Sequence, residues 1–70
     1  MSYSPWQYLA DVRRGHEAAK PEHWNMKDER CQTWFADSGR IATAETMLLE
    51  CNRSGAIALL ESVAERWGLG

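Results

Sequence analysis

The chain has 70 residues, of which 44% are hydrophobic and 26% are charged, and its net charge is −2. A chain this short forms one domain and lies near the limit at which apolar burial offsets chain entropy without a disulfide, a metal or a partner. With no secretory leader and no apolar run long enough to span a bilayer, the sequence predicts a cytoplasmic protein with no membrane partner.

The first predicted element is helix A, over about residues 5–14. Ser4 is a good capping residue, Pro5 suits the first helical position, and Gln7 can close a capping box. Gly15 is the predicted end of the helix, because glycine readily adopts the conformations that close one, although residues 16–20 have good helix propensity and could extend it.

Helix B is predicted over about residues 22–37. Pro21 disfavours helical geometry in the residue before it, so the helix begins either at Pro21 or after Asn25. Whether it stops near Gly39 or continues past it is left open, because one glycine costs only about 1 kcal/mol in a helix. Its apolar stripe is narrow and mostly aromatic: Trp24, Cys31, Trp34 and Phe35.

Two further amphipathic helices, over about 39–52 and 55–67, are predicted to form an antiparallel hairpin at the C-terminal end. Asp37-Ser38-Gly39 precedes the first, and a four-residue turn, Asn52 to Gly55, separates the two. Apolar residues at helical spacing mark the core or a dimer interface, together with Trp34 and Phe35: Ile41, Met47, Leu48, Ile57, Leu60, Val63 and Trp67.

The pattern therefore predicts an all-α fold, with residues 1–70 as a single small helical domain. The last helix is apolar over nearly half its circumference, which is more than one neighbouring helix covers. We accordingly expect a homodimer in which two hairpins form a helical bundle.

Metal binding and catalysis are not expected. His16, His23, Cys31 and Cys51 have suitable ligand atoms, but they lack the close pairs that zinc sites use. The two cysteines are interpreted as buried core residues and the two histidines as exposed loop residues. No nucleophile lies beside a base, so the sequence predicts no catalytic residue, no cofactor and no enzyme.

Charge also argues against a nucleic-acid partner. Residues 1–35 carry five basic and five acidic side chains, and residues 36–70 carry three basic against five acidic ones. The last helix, where a helix-turn-helix protein would contact base edges, offers Arg66 and two glutamates. A mixed, solvated surface is the expected result.

The aromatic content is unusual, since four Trp, two Tyr and one Phe are many for a small helical core. Large aromatic side chains on short helices and beside loops commonly anchor protein interfaces. The predicted partner interface combines three of them with two leucines outside the main stripes: Trp6, Tyr8, Trp24, Leu49 and Leu59.

These features together favour a small protein-binding regulator that docks on a larger protein and blocks or modulates it. In size and class the chain is similar to the small free-standing inhibitors of phages and mobile elements. Two alternatives remain, a helix-turn-helix-like DNA-binding regulator and an accessory subunit of an enzyme complex.

Overall fold

A computed structural model describes residues 3–69. Within that range the chain forms three α-helices and no strand: α1 (Pro5–Ala18), α2 (Glu29–Leu49) and α3 (Arg53–Arg66). The all-α class is confirmed. No helix among these residues is long and apolar enough to cross a membrane. The cytoplasmic location stays a prediction.

A polar side chain caps the first turn of each helix. Ser4, Asp28 and Asn52 each accept a hydrogen bond from a backbone N–H two or three residues later, at 3.3, 2.8 and 3.1 Å respectively. Each bond satisfies one of the N–H groups that have no partner inside the helix. The Ser4 cap is the predicted one, whereas α3 begins at Arg53, with Asn52 as its cap, rather than at about residue 55.

The first helix continues through Gly15 to Ala18, beyond the predicted end at residue 14. Gly15 serves close packing rather than capping, since a Cβ there would lie 2.7 Å from a methyl carbon of Leu69. Leu69 is held in place by the end of α3, where Gly68 has a φ of 66° and the Leu69 N–H bonds to the Ala64 carbonyl at 2.8 Å. Gly68 thus takes the left-handed conformation that favours glycine.

The structure decides the question left open at Gly39: the predicted helix B (about 22–37) and first hairpin helix (about 39–52) belong to one continuous helix, α2. Gly39 faces open space and costs only about 1 kcal/mol relative to alanine. Asp37 before it and Ile41 after it are both buried. Packing on either side of the glycine therefore holds the helix together.

A loop over residues 19–28 replaces the predicted start of helix B. Its backbone is tied to the first turn of α2, because the Cys31 thiol donates to the His23 carbonyl at 3.5 Å and the Gln32 amide donates to the Met26 carbonyl at 2.7 Å. The loop is thus anchored although it has no regular structure.

Cys51 closes α2 with a positive φ of 63°, and the following N–H, of Asn52, bonds to the Met47 carbonyl at 2.8 Å. This left-handed position is strained for a residue other than glycine, asparagine or aspartate. Cys51 is also exposed, so its interpretation as a buried core residue is wrong, whereas Cys31 is buried.

The core contains residues from all three helices, and each pair of helices is in contact. The end of α3 lies beside the middle of α2, where Arg66 reaches Asp37. The predicted dimer stays a prediction, because one chain is described. The buried apolar residues that form the core are Leu9, Val12, Ile41, Ala44, Leu48, Ala56, Leu60, Val63 and Ala64.

Leu60→Ala should lower the free energy of unfolding by about 2–5 kcal/mol, because it opens a cavity at a side chain that is fully buried. Leu49→Ala is the matched control: Leu49 is 71% exposed, and we expect a change within about 0.5 kcal/mol. Urea unfolding followed by circular dichroism measures both. Equal effects of the two substitutions would contradict this packing.

Candidate functional site

A fully buried carboxylate, Asp37, lies at the junction of α2 and α3. Its Oδ1 accepts hydrogen bonds from Nη1 of Arg40 and Nη1 of Arg66, both at 2.5 Å, and its Oδ2 accepts one from the Trp67 indole N–H at 2.7 Å. Arg40 is one turn along α2, whereas Arg66 and Trp67 come from the end of α3. Three donors from two helices thus converge on one side chain.

These contacts decide the charge of Asp37. Burial alone would raise its pKa, but the hydrogen bonds from Arg66, Trp67 and Arg40, with the positive charge of Arg66, outweigh burial and hold the pKa below its ordinary value. Asp37 is therefore ionised at neutral pH. Together with its two arginines it carries a net charge of +1.

The arrangement also forces two positive charges together. Since both guanidinium groups bond the same oxygen, their Nη1 atoms lie no more than twice the hydrogen-bond length apart. Two unit charges 4 Å apart near a protein surface repel by about 4 kcal/mol, so an anion between them is needed to keep the pair in place. Parts of both arginine side chains remain in contact with solvent, since Arg40 is 43% exposed and Arg66 is 37% exposed.

A second buried polar residue, His16, joins the end of α1 to α2 through hydrogen bonds and a stacked contact with Trp34. Its Nε2 is 3.0 Å from the Trp34 carbonyl oxygen, and the Trp34 indole N–H donates to the His16 carbonyl at 2.7 Å. The two rings stack with centres 4.2 Å apart. His16 is 1% exposed, so its interpretation as an exposed loop residue is wrong.

Lys20 and Trp24 lie beside the His16–Trp34 contact on the loop side and form a cluster, the Lys20–Trp24 corner. Trp24 packs edge-on against Trp34, with ring centres 5.6 Å apart. The Lys20 ammonium lies 5.5 Å from the centre of the Trp24 ring and 5.3 Å from that of Trp34, within the range of cation–π attraction. Trp24 is 42% exposed, so part of its ring surface faces solvent beside a positive charge.

The residues of the predicted partner interface differ in how far they are exposed to solvent. Trp6, Trp24 and Leu49 are exposed, at 45%, 42% and 71%. Tyr8 and Leu59 are half-buried and pack against the core. The interface itself stays a prediction.

The residues predicted for the core or a dimer interface fall into three groups in the single chain. Ile41, Leu48, Leu60, Val63 and Trp34 are buried, and Met47, Ile57 and Trp67 are half-buried. Phe35 is 61% exposed, because it lies on the solvent side of α2. It is therefore outside the core of this chain, and its place in a dimer interface stays a prediction.

Within residues 3–69, no three His, Cys, Asp or Glu side chains are grouped closely enough to hold a metal ion.

The groups that sequence reasoning missed are Asp37, Arg40 and Arg66. Asp37 and Arg40 have the spacing of a helical ion pair, which is a signal in the sequence. Arg66, 29 positions from Asp37, has none.

Comparison with known proteins gives one informative similarity. Over 57 residues the chain is 42% identical to the tRNA (cytidine(56)-2'-O)-methyltransferase of Methanosarcina barkeri. The chain is similar to part of a tRNA methyltransferase. The match covers 81% of this chain and 28% of that enzyme, so the chain spans little more than a quarter of the relative's length. No protein-family model and no solved structure matches the chain.

This similarity overturns two predictions. The prediction of a protein-docking regulator or inhibitor is wrong, because the similar protein is named as an enzyme that methylates tRNA. The prediction that the chain is not an enzyme is wrong on the same finding. Aromatic content and helical pattern had pointed to binding, but they carry no information about the class of partner.

Asp37→Asn should lower the free energy of unfolding at pH 6 by about 1–3 kcal/mol, the scale of a buried hydrogen-bonding group that loses charged partners. Because folding lowers the pKa of Asp37, the carboxylate stabilises the fold above its ordinary pKa of about 3.9, and this stabilisation is lost as the pH falls through the lower folded value. The difference between wild type and variant should therefore shrink at acidic pH.

Urea unfolding at a series of pH values measures this difference. Asp11→Asn is the control, since the Asp11 carboxylate on α1 is exposed and has only exposed contacts. A destabilisation by Asp37→Asn that stayed constant down to pH 2 would show that the carboxylate charge is not what stabilises the junction.

Proposed function

We propose that the chain is a helical, tRNA-binding part of a tRNA 2'-O-methyltransferase. The observation that carries this proposal is the 42% identity to the Methanosarcina barkeri enzyme over 81% of the chain. Because the match covers 28% of that enzyme, we assign the methyl transfer itself to the whole enzyme and the holding of tRNA to this part.

The surface chemistry supports contact with RNA. RNA-binding surfaces combine positive side chains, which neutralise phosphates, with aromatic rings on which unpaired bases stack. The chain presents the Lys20–Trp24 corner at the end of α1 and the exposed guanidinium groups of Arg40 and Arg66 at the junction of α2 and α3. This proposal replaces the expectation, drawn from the charge pattern, that the partner is a protein rather than a nucleic acid.

The chemistry of the two buried polar residues fits positioning better than proton transfer. Both oxygens of Asp37 accept hydrogen bonds and its side chain is fully shielded. His16 is held by Trp34 through stacking and paired hydrogen bonds. A general base has to reach the ribose 2'-hydroxyl within hydrogen-bond distance, whereas these groups shape the surface that the tRNA would meet.

A chimera tests the proposal. Replacing the matching segment of the Methanosarcina barkeri enzyme by this chain should retain methyl transfer to tRNA within about tenfold of the parent kcat/KM, a loss of about 1.4 kcal/mol in transition-state stabilisation. Transfer of a labelled methyl group to a tRNA transcript measures the rate.

An unrelated three-helix segment of equal length, inserted at the same place, is the control and should abolish activity. The proposal is wrong if both insertions leave the enzyme equally inactive while circular dichroism shows that the chimera is folded. It is also wrong if both leave it equally active, because the segment would then contribute nothing.

A further inference from the structure

Arg40 and Arg66 have more hydrogen-bonding capacity than the fold uses. A guanidinium group carries five N–H donors, and each of these two arginines uses one of them on Asp37. One arginine would neutralise the carboxylate, yet two arginines and an indole N–H are bound to it. The remaining donors belong to side chains that are about two-fifths exposed.

The pair is also held in place before any ligand arrives. A buried carboxylate fixes both guanidinium groups, so little side-chain entropy is left to lose on binding. Two adjacent guanidinium groups match the oxygens of a phosphate, which arginine binds through paired hydrogen bonds. A second anion placed outside the pair would relieve the part of their repulsion that Asp37 alone does not cancel.

We infer that Arg40 and Arg66, held together by Asp37, bind a phosphodiester group of the tRNA backbone. This inference rests on the proposed function, which supplies tRNA as the source of the phosphate. The contact positions the RNA and carries no sequence information, since every nucleotide offers the same group.

The surroundings of the pair extend the site along α2. Arg30 and Thr33 lie on the same side of the helix as Asp37 and line an open groove with Trp67. Arg30 is about 15 Å along the helix axis from Arg40, at a rise of 1.5 Å per residue. A backbone that follows this groove would pass the Thr33 hydroxyl and reach a third guanidinium group, although Asp28 and Glu29 make the far end of the groove acidic.

A purely structural role for the cluster predicts different behaviour. If Asp37, Arg40 and Arg66 only join α2 to α3, substitutions there would change stability and leave tRNA affinity unaffected in the folded protein. If the pair binds phosphate, affinity and its dependence on salt concentration both change, because each phosphate contact releases counterions.

The first test measures binding of the full 70-residue chain to a fluorescent tRNA transcript over a series of salt concentrations. Arg40→Gln should weaken binding about tenfold and reduce the slope of log K against log salt by about 1, as expected for one lost phosphate contact. Arg14→Gln is the control, because it removes the same charge from an α1 side chain that is 75% exposed. Its effect should stay below about twofold.

Asp37→Asn distinguishes the effect of holding the two arginines in place from the effect of the protein's net charge. It leaves both arginines in place and raises the net charge of the protein by one, so general electrostatic attraction would tighten tRNA binding. Loss of the carboxylate that holds the pair should instead weaken binding about fivefold or more. Circular dichroism establishes that the variant is folded at the temperature used, and Arg66→Lys, which keeps the charge and loses the paired hydrogen bonds, provides a milder second variant.

The outcomes distinguish this inference from the proposed function. Wild-type binding that Arg40→Gln and Arg14→Gln weaken equally, or that Asp37→Asn strengthens, overturns the phosphate site and leaves tRNA binding standing. No binding of tRNA by the wild type overturns both. Competition by inorganic phosphate, measured on the same complex, should be weaker against Arg40→Gln than against wild type, and equal competition would also overturn the site.

Discussion

A carboxylate with no solvent contact is costly to bury unless its oxygens are matched by donors, and Asp37 meets this requirement only because α3 ends beside it. Arg66 and Trp67 have to reach the middle of α2, which fixes how far α3 extends along that helix. The His16–Trp34 pair fixes α1 in the same way, through two hydrogen bonds and a stacked contact. Directional polar contacts thus set the alignment of helices that apolar packing alone would allow to slide.

The same constraint shapes the surface. Satisfying Asp37 brings two guanidinium groups side by side at the protein exterior, each partly free to bind something else. A short chain with a net charge of −2 therefore concentrates positive charge at one junction. The proposed contact with tRNA depends on this local concentration rather than on the overall charge.

Local signals in the sequence predicted much of the fold. The serine cap at Ser4 and the periodic apolar residues of α2 and α3 depend on neighbouring residues, and both appear in the structure. Whether the helix continues through Asp37-Ser38-Gly39 could not be decided from the sequence, because the decisive partners of Asp37 come from α3. His16 was misplaced for the same reason, since its partner Trp34 lies 18 residues away.

Function was harder to predict than fold. Apolar pattern and aromatic content indicate that a surface binds something, but a tryptophan serves a protein partner or a nucleobase equally well. Along the chain, basic and acidic residues are mixed and no basic stretch stands out. The structure pairs Asp37 with two arginines at once, which no count along the sequence represents.

The central claim is that an ionised Asp37 joins α2 to α3 by binding Arg66 and Trp67. A pH titration followed by nuclear magnetic resonance, observing the Asp37 carboxyl carbon and the Trp67 indole N–H together, tests this claim most directly. The account predicts that both signals titrate with one midpoint, below the ordinary aspartate pKa of about 3.9. A midpoint at or above that value, with an indole signal that does not respond to it, would contradict the account.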